Sequence, residues 1–374
     1  MKKKIAIIGA GIAGLTLGNL LQKNLDYEFT IYEKGETLNL DEGFGIQLAV
    51  NSIYVLNQIG FNELNKSNTF HPKALDFYSN RNKVCDLNLT QFNTRLEKYT
   101  TLKRSSLIKF LKDKLFSNVF KFNKKVQTIE HEEKKIKIKF TDGETDEVDY
   151  LIVSDGIFSD TRTIIENKKY KKIFQGAFAL RNIINKDHLE QLNNDNISLF
   201  MCPKAHLVLY PVNESEYNFV AIIRGKMDSF DDKKKIFLNN ILKQNNLNSL
   251  LNNNLSFWPV YNSRKSLVSE HKNIFYLGDA FYAFPPTMAQ GASQSIEAAD
   301  ELSKIFEKDI LDKQNFYFTN RIKRTKIISK RSNFNFFIFH LSNSLLVKIR
   351  NIILRKLIYN RKFIDIFLGR VFRK

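Results

Sequence analysis

Three closely spaced glycines lie between a predicted strand and a predicted helix at the start of the chain. The apolar run Ile5–Ile8 precedes Gly9, Gly11 and Gly14, and apolar residues then recur at helical spacing. In this context the first glycine permits a tight turn, the second leaves room for a pyrophosphate, and the third lets helix and strand approach. The helix N-terminus would face the phosphates with free N–H groups. Residues 1–34 are therefore predicted to form a βαβ unit that binds a dinucleotide.

An acidic residue at the end of the second predicted strand fits the same site. Glu33 follows Gly14 by 19 residues, close to the spacing at which an acid accepts hydrogen bonds from a ribose. The alternative is a purely structural glycine turn with Glu33 exposed to solvent. The combination of strand, glycine loop, helix and acid favours dinucleotide binding.

Two later segments also place an acid directly after a predicted strand. The strand that begins at Tyr150 leads into Asp155 and Gly156, with Ser159 and Arg162 at short offsets. The strand that begins at Ile274 leads into Gly278 and Asp279, followed by a proline-bearing loop and a helix from about Ala292 to Phe306. Either segment alone could be a structural turn.

Together the three segments resemble the FAD-dependent aromatic hydroxylases, the single-component flavoprotein monooxygenases that are similar to para-hydroxybenzoate hydroxylase. The resemblance covers about residues 3–350 and includes Arg104 in LKRSSLIKFL and Tyr210-Pro211 in HLVLYPV. It implies an α/β fold, with an FAD-binding Rossmann-like βαβ domain, an inserted and mainly antiparallel β-sheet substrate domain, and a C-terminal helical segment. The expected boundaries are 1–70, 101–170 and 270–312 for the FAD-binding domain, 71–100 and 171–269 for the substrate domain, and 313–374 for the C-terminal segment.

The resemblance also implies which residues contact the cofactor. The glycine loop would face the pyrophosphate of FAD, Glu33 would hold the adenosine ribose, and Pro286 would lie beside the isoalloxazine. Two positions depart from the pattern: Tyr282 stands where relatives often have His, and Ala289 replaces a glycine. The expected cofactor-binding residues are Gly9, Gly11, Ala13, Gly14, Glu33, Lys34, Arg104, Asp155, Gly156, Gly278, Asp279, Pro286, Gln290, Gly291 and Ala292.

The activity implied is that of an FAD-dependent monooxygenase with NAD(P)H as co-substrate. It would hydroxylate or epoxidise an aromatic or isoprenoid small molecule with O2, through a flavin C4a-hydroperoxide. Two alternatives stay open: a flavin-dependent reductase or saturase on the same scaffold, and a non-catalytic FAD-binding protein that associates with membranes. The sequence does not determine the substrate, its regioselectivity, NADH versus NADPH, or the oligomeric state.

No side chain is assigned a catalytic role from the sequence. Tyr210, His206 and Pro286 are the candidates, and a structural role is the commoner explanation for such residues. The lid that keeps water from the flavin is expected in the inserted sheet, which is rich in aromatic residues. These are Phe174, Phe178, Phe200, Tyr210 and Phe219. A helix that directly follows Arg104 is predicted over 105–116, with Ser105 as its N-cap.

Composition excludes several classes of protein. Only two cysteines are present and the six histidines are scattered, so neither a disulfide framework nor a metal site is expected. The longest uncharged stretch, 332–347, is shorter than the roughly 20 apolar residues of a membrane span and contains polar residues. We therefore expect a cytoplasmic protein.

The net charge of +19 is concentrated at the C-terminus. Residues 320–374 contain 15 Lys or Arg and a single acid, Asp365. Basic and apolar residues alternate there at helical spacing, a pattern typical of a helix that lies on an anionic membrane. The alternative is a basic helix that packs on the protein itself. Because no nucleic-acid-binding fold accompanies the charge, no nucleic-acid partner is expected.

Overall fold

The computed structural model describes residues 2–38, 40, 44–64, 66–132, 135–167, 172–189, 192–227, 232–250, 255–263, 265–308 and 310–372. The strands in these ranges are β1 (Lys3–Ile8), β2 (Tyr27–Tyr32), β3 (Gly45–Leu48), β4 (Thr69–Phe70), β5 (Ala74–Ser79), β6 (Asn82–Asn88), β7 (Thr100–Lys103), β8 (Phe120–Lys121), β9 (Val126–His131), β10 (Ile136–Phe140), β11 (Thr145–Val148), β12 (Tyr150–Val153), β13 (Ile173–Asn185), β14 (Ile197–Cys202), β15 (Ala205–Pro211), β16 (Glu216–Arg224), β17 (Ser256–Asn262) and β18 (Ile274–Tyr276). The α-helices are α1 (Ile12–Leu21), α2 (Val50–Asn57), α3 (Arg104–Asp113), α4 (Asp160–Glu166), α5 (Asp232–Gln244), α6 (Gly291–Glu307), α7 (Lys313–Phe339), α8 (Ser344–Leu357), α9 (Arg361–Ile364) and α10 (Arg370–Phe372).

A five-stranded parallel sheet carries the glycine loop at its centre. Its strand order is β18-β12-β1-β2-β8, and every neighbouring pair is parallel. The residues Ile5 to Ile8 are buried on both faces of the sheet, which explains why this strand reads as a continuous apolar run. The predicted βαβ unit is confirmed, because β1 and β2 are parallel neighbours joined through α1.

A seven-stranded sheet forms the second large layer. Its order is β17-β13-β16-β15-β14-β5-β6, and all pairs are antiparallel except β14 with β5. One face packs against α5 and the other against the C-terminal helices. The expected α/β fold with an inserted, mainly antiparallel sheet and a helical C-terminus is confirmed. Two three-stranded sheets, β3-β7-β4 and β11-β10-β9, complete the strands of the described residues.

Helix α3 begins one residue earlier than predicted. Lys103 occupies its N-cap position without a side-chain cap, so the prediction of Ser105 as N-cap was wrong. The backbone N–H of Arg104 instead donates to the carbonyl of Phe44, 2.8 Å away. A neighbouring loop therefore satisfies a donor that a side chain would otherwise take. The helix ends at Asp113, before the predicted Phe116.

A buried ionic network joins α6 to the C-terminal helices. Glu297 accepts from Arg321 at 3.0 Å, from Arg324 at 2.7 and 2.8 Å, and from Asn51 at 2.7 Å. Burial opposes ionisation, but the hydrogen bond from Arg324 and the charge of Arg321 bring the pKa of Glu297 down to about 2. Arg324 also donates to the carbonyls of Arg370 and Val371. The network around this one carboxylate therefore links α6, α7 and α10.

Within the described ranges, no helix is long and apolar enough to cross a bilayer.

Replacement of Glu297 by glutamine should destabilise the fold strongly. The variant keeps the shape of the side chain but leaves the buried guanidinium of Arg321 and the partly buried guanidinium of Arg324 without their shared counter-charge. Losing one partner of a buried ion pair typically costs about 3–5 kcal/mol. We expect a loss of about 3 kcal/mol in the free energy of unfolding, measured by urea denaturation. The exposed Glu307→Gln on the same helix should change it by less than about 0.5 kcal/mol, and equal effects of the two variants would contradict the assignment.

Candidate functional site

The glycine loop combines close backbone packing with one open position. A Cβ atom on Gly14 would lie 2.2 Å from the carbonyl oxygen of Gly9, and one on Gly9 would lie 2.8 Å from Cα of Asp155. Gly9 also has a φ of +100°, which a side chain would strain. A Cβ on Gly11, in contrast, would meet no atom within 4 Å. Gly9 and Gly14 therefore allow the helix and the strands to pack closely, while Gly11 faces open space.

Glu33 supports this loop directly. Its Oε2 accepts from the backbone N–H of Ala10 and its Oε1 from that of Gly35, each at 3.0 Å. The carboxylate is thus held at the carboxyl end of β2, beside the glycine loop. Each oxygen retains a second lone pair that can accept a hydroxyl.

One cavity of about 260 Å³ is lined by residues of the glycine loop, of the end of β2 and of the segment that follows β12. Four of its lining residues are basic and three are acidic. The basic ones suit a group that carries two phosphates. Seven of the residues predicted to bind the cofactor border the cavity: Gly9, Gly11, Glu33, Lys34, Arg104, Asp155 and Gly156.

Asp155 has an acceptor oxygen available at this cavity. Its Oδ2 accepts from Thr161 at 2.7 Å, whereas Oδ1 is buried and has no hydrogen-bond partner among the described residues. Burial raises the pKa of this carboxyl group, and the hydroxyls of Ser159 and Thr161 oppose that change. A buried acceptor without a partner is costly, so a hydroxyl or amide group of a ligand would stabilise it.

The second and third segments are joined by Arg162. Its guanidinium donates to the carbonyl of Ala280 at 2.9 Å and to that of Ile157 at 2.6 Å. Asp279, next to Ala280, is exposed on one side. Desolvation by the surrounding protein raises its pKa to about 6, despite the nearby charges of Arg162 and Arg104. Gly278 packs against α1, since its Cβ would lie 3.0 Å from that of Ala13.

The remaining predicted residues lie at the start of α6. Gln290 is the N-cap residue of this helix, and a Cβ on Gly291 would meet no atom within 4 Å. Ala289 has a φ of +50°, the left-handed region where glycine is favoured. The helix N-terminus is thus reached through a strained backbone and opens on free space, with the positive end of its dipole exposed. Ala13, Gly14, Gly278, Asp279 and Gln290 to Ala292 do not border the 260 Å³ cavity.

A second cavity of about 420 Å³ lies between the seven-stranded sheet and the C-terminal helices. Pro286 to Ala289 border it on one side, and leucine, isoleucine and phenylalanine side chains form most of its wall. Its polar contributors include Gln47, Tyr99, His206, Asn335 and Arg350. Of the three catalytic candidates, His206 and Pro286 border this cavity, whereas Tyr210 does not.

The aromatic residues expected to cover the flavin do not all lie on the cavity side of the inserted sheet. Tyr210 packs on that side, whereas Phe200 and Phe219 pack on the opposite face, against α5. Phe178 is also buried and stacks on Phe257. The C-terminal helices α7 to α10 form the cover instead. The basic, apolar pattern of 320–374 signalled helices there but not where they pack.

The 260 Å³ cavity and the start of α6 fit the parts of FAD. The polar, basic cavity with an unpartnered Asp155 oxygen and an open Gly11 suits the ribose and diphosphate. The open start of α6 and the adjacent Pro286 loop suit the isoalloxazine, because a helix N-terminus stabilises negative charge. Among the described residues no cluster could hold a metal ion.

Comparisons with known proteins agree with this geometry. The family model described as "FAD binding domain" matches residues 2–311. 6-Hydroxynicotinate 3-monooxygenase of Bordetella bronchiseptica is 24% identical over 362 residues, which cover 89% of this chain and 91% of that protein. The structure of Klebsiella pneumoniae HpxO complexed with FAD and uric acid superimposes with a TM-score of 0.86 at 18% identity, covering 99% and 97% of the two chains. A salicylate hydroxylase substrate complex gives a TM-score of 0.78 at 17% identity, covering 100% and 99%.

Replacement of Gly11 by aspartate should abolish FAD binding without unfolding the protein. The added side chain has free space, and aspartate is a favoured N-cap residue. Its negative charge would repel the diphosphate. We expect the flavin absorbance of the purified protein to fall at least tenfold, with the circular dichroism spectrum retained.

Gly11→Asn is the matched control for this variant, because asparagine has the same shape and also caps helices. It should retain more FAD than Gly11→Asp. Full flavin occupancy in the aspartate variant would show that Gly11 does not face the diphosphate.

Proposed function

Since the chain belongs to the FAD binding domain family, which includes the aromatic hydroxylases, and is an FAD-dependent monooxygenase, we propose that it uses NADH or NADPH and O2. The substrate to be oxygenated would be a lipophilic aromatic or isoprenoid molecule. The observation that carries this proposal is the apolar 420 Å³ cavity beside the Pro286 loop. An apolar wall of this extent favours substrates with large apolar surfaces.

We assign the cofactor contacts on the geometry of the described residues. Gly11, Glu33, Arg104 and Asp155 would hold the ribose and diphosphate, and Gly291 would face the flavin from the start of α6. FAD, when bound, supplies electron transfer from the nicotinamide to O2 and oxygen transfer to the substrate. The protein positions the substrate in the second cavity, and the C-terminal helices exclude water from it. This proposal includes the domain boundaries expected from the sequence. The FAD-binding domain, the substrate domain and the C-terminal segment would be separated after residues 70, 100, 170, 269 and 312.

We further propose that the C-terminal helices contact an anionic membrane surface. Helix α8 exposes an apolar row whose members Leu345 and Ile352 are 63% and 54% exposed. Exposed basic residues flank this row, among them Lys348, Arg355 and Lys356. An apolar face bordered by cations matches a bilayer that contains anionic lipid.

The exposed row is continuous with the substrate cavity. Leu346, Ile349 and Ile353 of α8 are exposed, and they also border the cavity. Phe334 and Phe337 of α7 share both properties. A lipophilic substrate could therefore pass from the bilayer into the cavity with little exposure to water.

Turnover assays test the proposed reaction. Lipophilic phenols, quinone precursors and polyenes should stimulate consumption of NADH or NADPH more than uric acid or 6-hydroxynicotinate, and the product should gain one oxygen atom from labelled O2. Stimulation only by the polar compounds would contradict the assigned substrate class. Product formed without O2 would indicate a reductase or saturase, and no stimulation by any compound would indicate a non-catalytic flavoprotein. The Gly11→Asp protein serves as the inactive control.

Vesicle binding tests the membrane contact. The double variant Leu345→Gln/Ile352→Gln should bind vesicles of phosphatidylglycerol and phosphatidylcholine at least tenfold more weakly. Each substitution removes apolar area that would be buried in the bilayer. Lys348→Gln/Lys356→Gln should reduce binding roughly tenfold, and only when the anionic lipid is present. Leu25→Gln, a change at a 77% exposed leucine elsewhere on the surface, is the control. Wild-type protein that does not sediment with the anionic vesicles would refute the contact.

A further inference from the structure

A chain of three nitrogen-bearing side chains runs from the surface to the substrate cavity. Nε of the exposed Arg224 lies 3.0 Å from Nδ1 of His340. Nε2 of His340 lies 2.6 Å from Nδ1 of His206. Both imidazoles are buried, with exposed fractions of 4% and 1%. His206 borders the cavity.

The surrounding structure fixes each member of this chain. His206 lies on β15, and His340 is the C-cap residue of α7. The backbone N–H of Lys204 donates to the carbonyl of His340. The rings of Phe336 and Phe339 pack against His340 and His206 respectively.

The direction of these hydrogen bonds follows from the chemistry of arginine. A guanidinium group has donors and no acceptor, so Nδ1 of His340 must accept. Burial lowers the pKa of both histidines, and the charge of Arg224 adds to this effect for His340. Both rings are therefore neutral and carry one proton each.

The position of each proton is then determined. A neutral His340 that accepts at Nδ1 carries its proton on Nε2 and donates it to Nδ1 of His206. A neutral His206 that accepts at Nδ1 carries its own proton on Nε2. Among the described residues, no hydrogen bond reaches Nε2 of His206.

We propose that Nε2–H of His206 donates a hydrogen bond to an acceptor oxygen of the substrate, with His340 and Arg224 as positioning residues that hold His206 in this tautomer. This inference rests on the proposed function and specifies its substrate class: a molecule with an apolar frame and one oxygen that accepts a hydrogen bond, such as a phenolate, quinone or ketone. In this tautomer the ring is a donor that stabilises a phenolate.

The tautomers can be measured without any ligand. Nitrogen-15 NMR of histidine-labelled holoenzyme distinguishes protonation at Nε2 from protonation at Nδ1. We expect both His206 and His340, assigned by comparison with His206→Gln and His340→Gln, to carry the proton on Nε2. A proton on Nδ1 of either residue, or a charged ring at pH 7, would overturn the proposal.

Binding of 4-nitrophenol to the holoenzyme tests the contact with a ligand. The ratio of bound phenolate to bound phenol, read from the visible difference spectrum as a function of pH, reports donation to the phenolate oxygen. His206→Leu should lower this ratio roughly tenfold to a hundredfold, as expected for loss of a hydrogen bond to a charged group. His206→Gln should retain most of it, because its amide nitrogen can donate from a similar position.

The positioning role is tested in the same assay. His340→Leu leaves His206 free to move its proton to Nδ1, so the bound ligand should change from phenolate to phenol. His340→Gln should restore the wild-type ratio, since its amide can donate to His206. A purely structural role would make both variants behave alike. Failure of 4-nitrophenol to saturate the cavity, or a ratio unchanged in His206→Leu, would refute the contact.

These outcomes are separable from those of the turnover assay. Phenolate binding that depends on His206, without oxygenation of any compound, would leave this assignment standing and refute the proposed reaction. Oxygenation of a compound, with a phenolate ratio that does not change in the His206 variants, would support the proposed reaction and refute the assignment of His206.

Discussion

Backbone atoms around Gly14 approach so closely that no side chain fits there, and this contact sets the positions of β1, β12 and α1. A methyl group at this position would lie 2.2 Å from the carbonyl oxygen of Gly9, well inside van der Waals contact. The same contact brings Ser154 against the glycine loop, where its hydroxyl donates to the carbonyls of Ile8 and Gly9. Strands β1 and β12 and helix α1 therefore meet at one point. The two acids, Glu33 and Asp155, reach the same groove because their strands end beside that point.

The C-terminal half of the molecule depends on a different interaction. Glu297 lies on the helix whose N-terminus faces the proposed flavin site, and it binds Arg321 and Arg324 of α7. Arg324 in turn donates hydrogen bonds to the carbonyls of Arg370 and Val371. Phe372, next in the chain, packs edge-on against Phe92 and Tyr99 at the cavity wall. The cover of the cavity is thus attached to the helix that would contact the cofactor.

The parts of the site that sequence analysis could predict are those determined by local geometry. Gly9, Gly11 and Gly14 specify a turn within six residues, and Glu33 follows at the length of one helix and one strand. The cover and the histidine pair depend on long-range packing instead. His206 and His340 are 134 residues apart, and neither has a neighbour in sequence that indicates the contact. Periodicity predicted helices over 320–374 but could not specify which face packs on the sheet, because apolar residues occur on both sides of α8.

The excess of apolar residues on α8 links the proposed membrane contact to the proposed substrate class. A helix that only covered a cavity would bury its apolar residues on one side and expose polar ones on the other. Leu345 and Ile352 are exposed instead, next to residues that border the cavity. Exposed apolar area of this kind is costly in water and is stabilised when it contacts another apolar phase. The same helix would then lie between lipid on one side and substrate on the other. A substrate that arrives by this route is largely apolar, so a single buried donor such as Nε2–H of His206 would suffice to orient it, because an unpaired oxygen in that cavity would be strongly disfavoured.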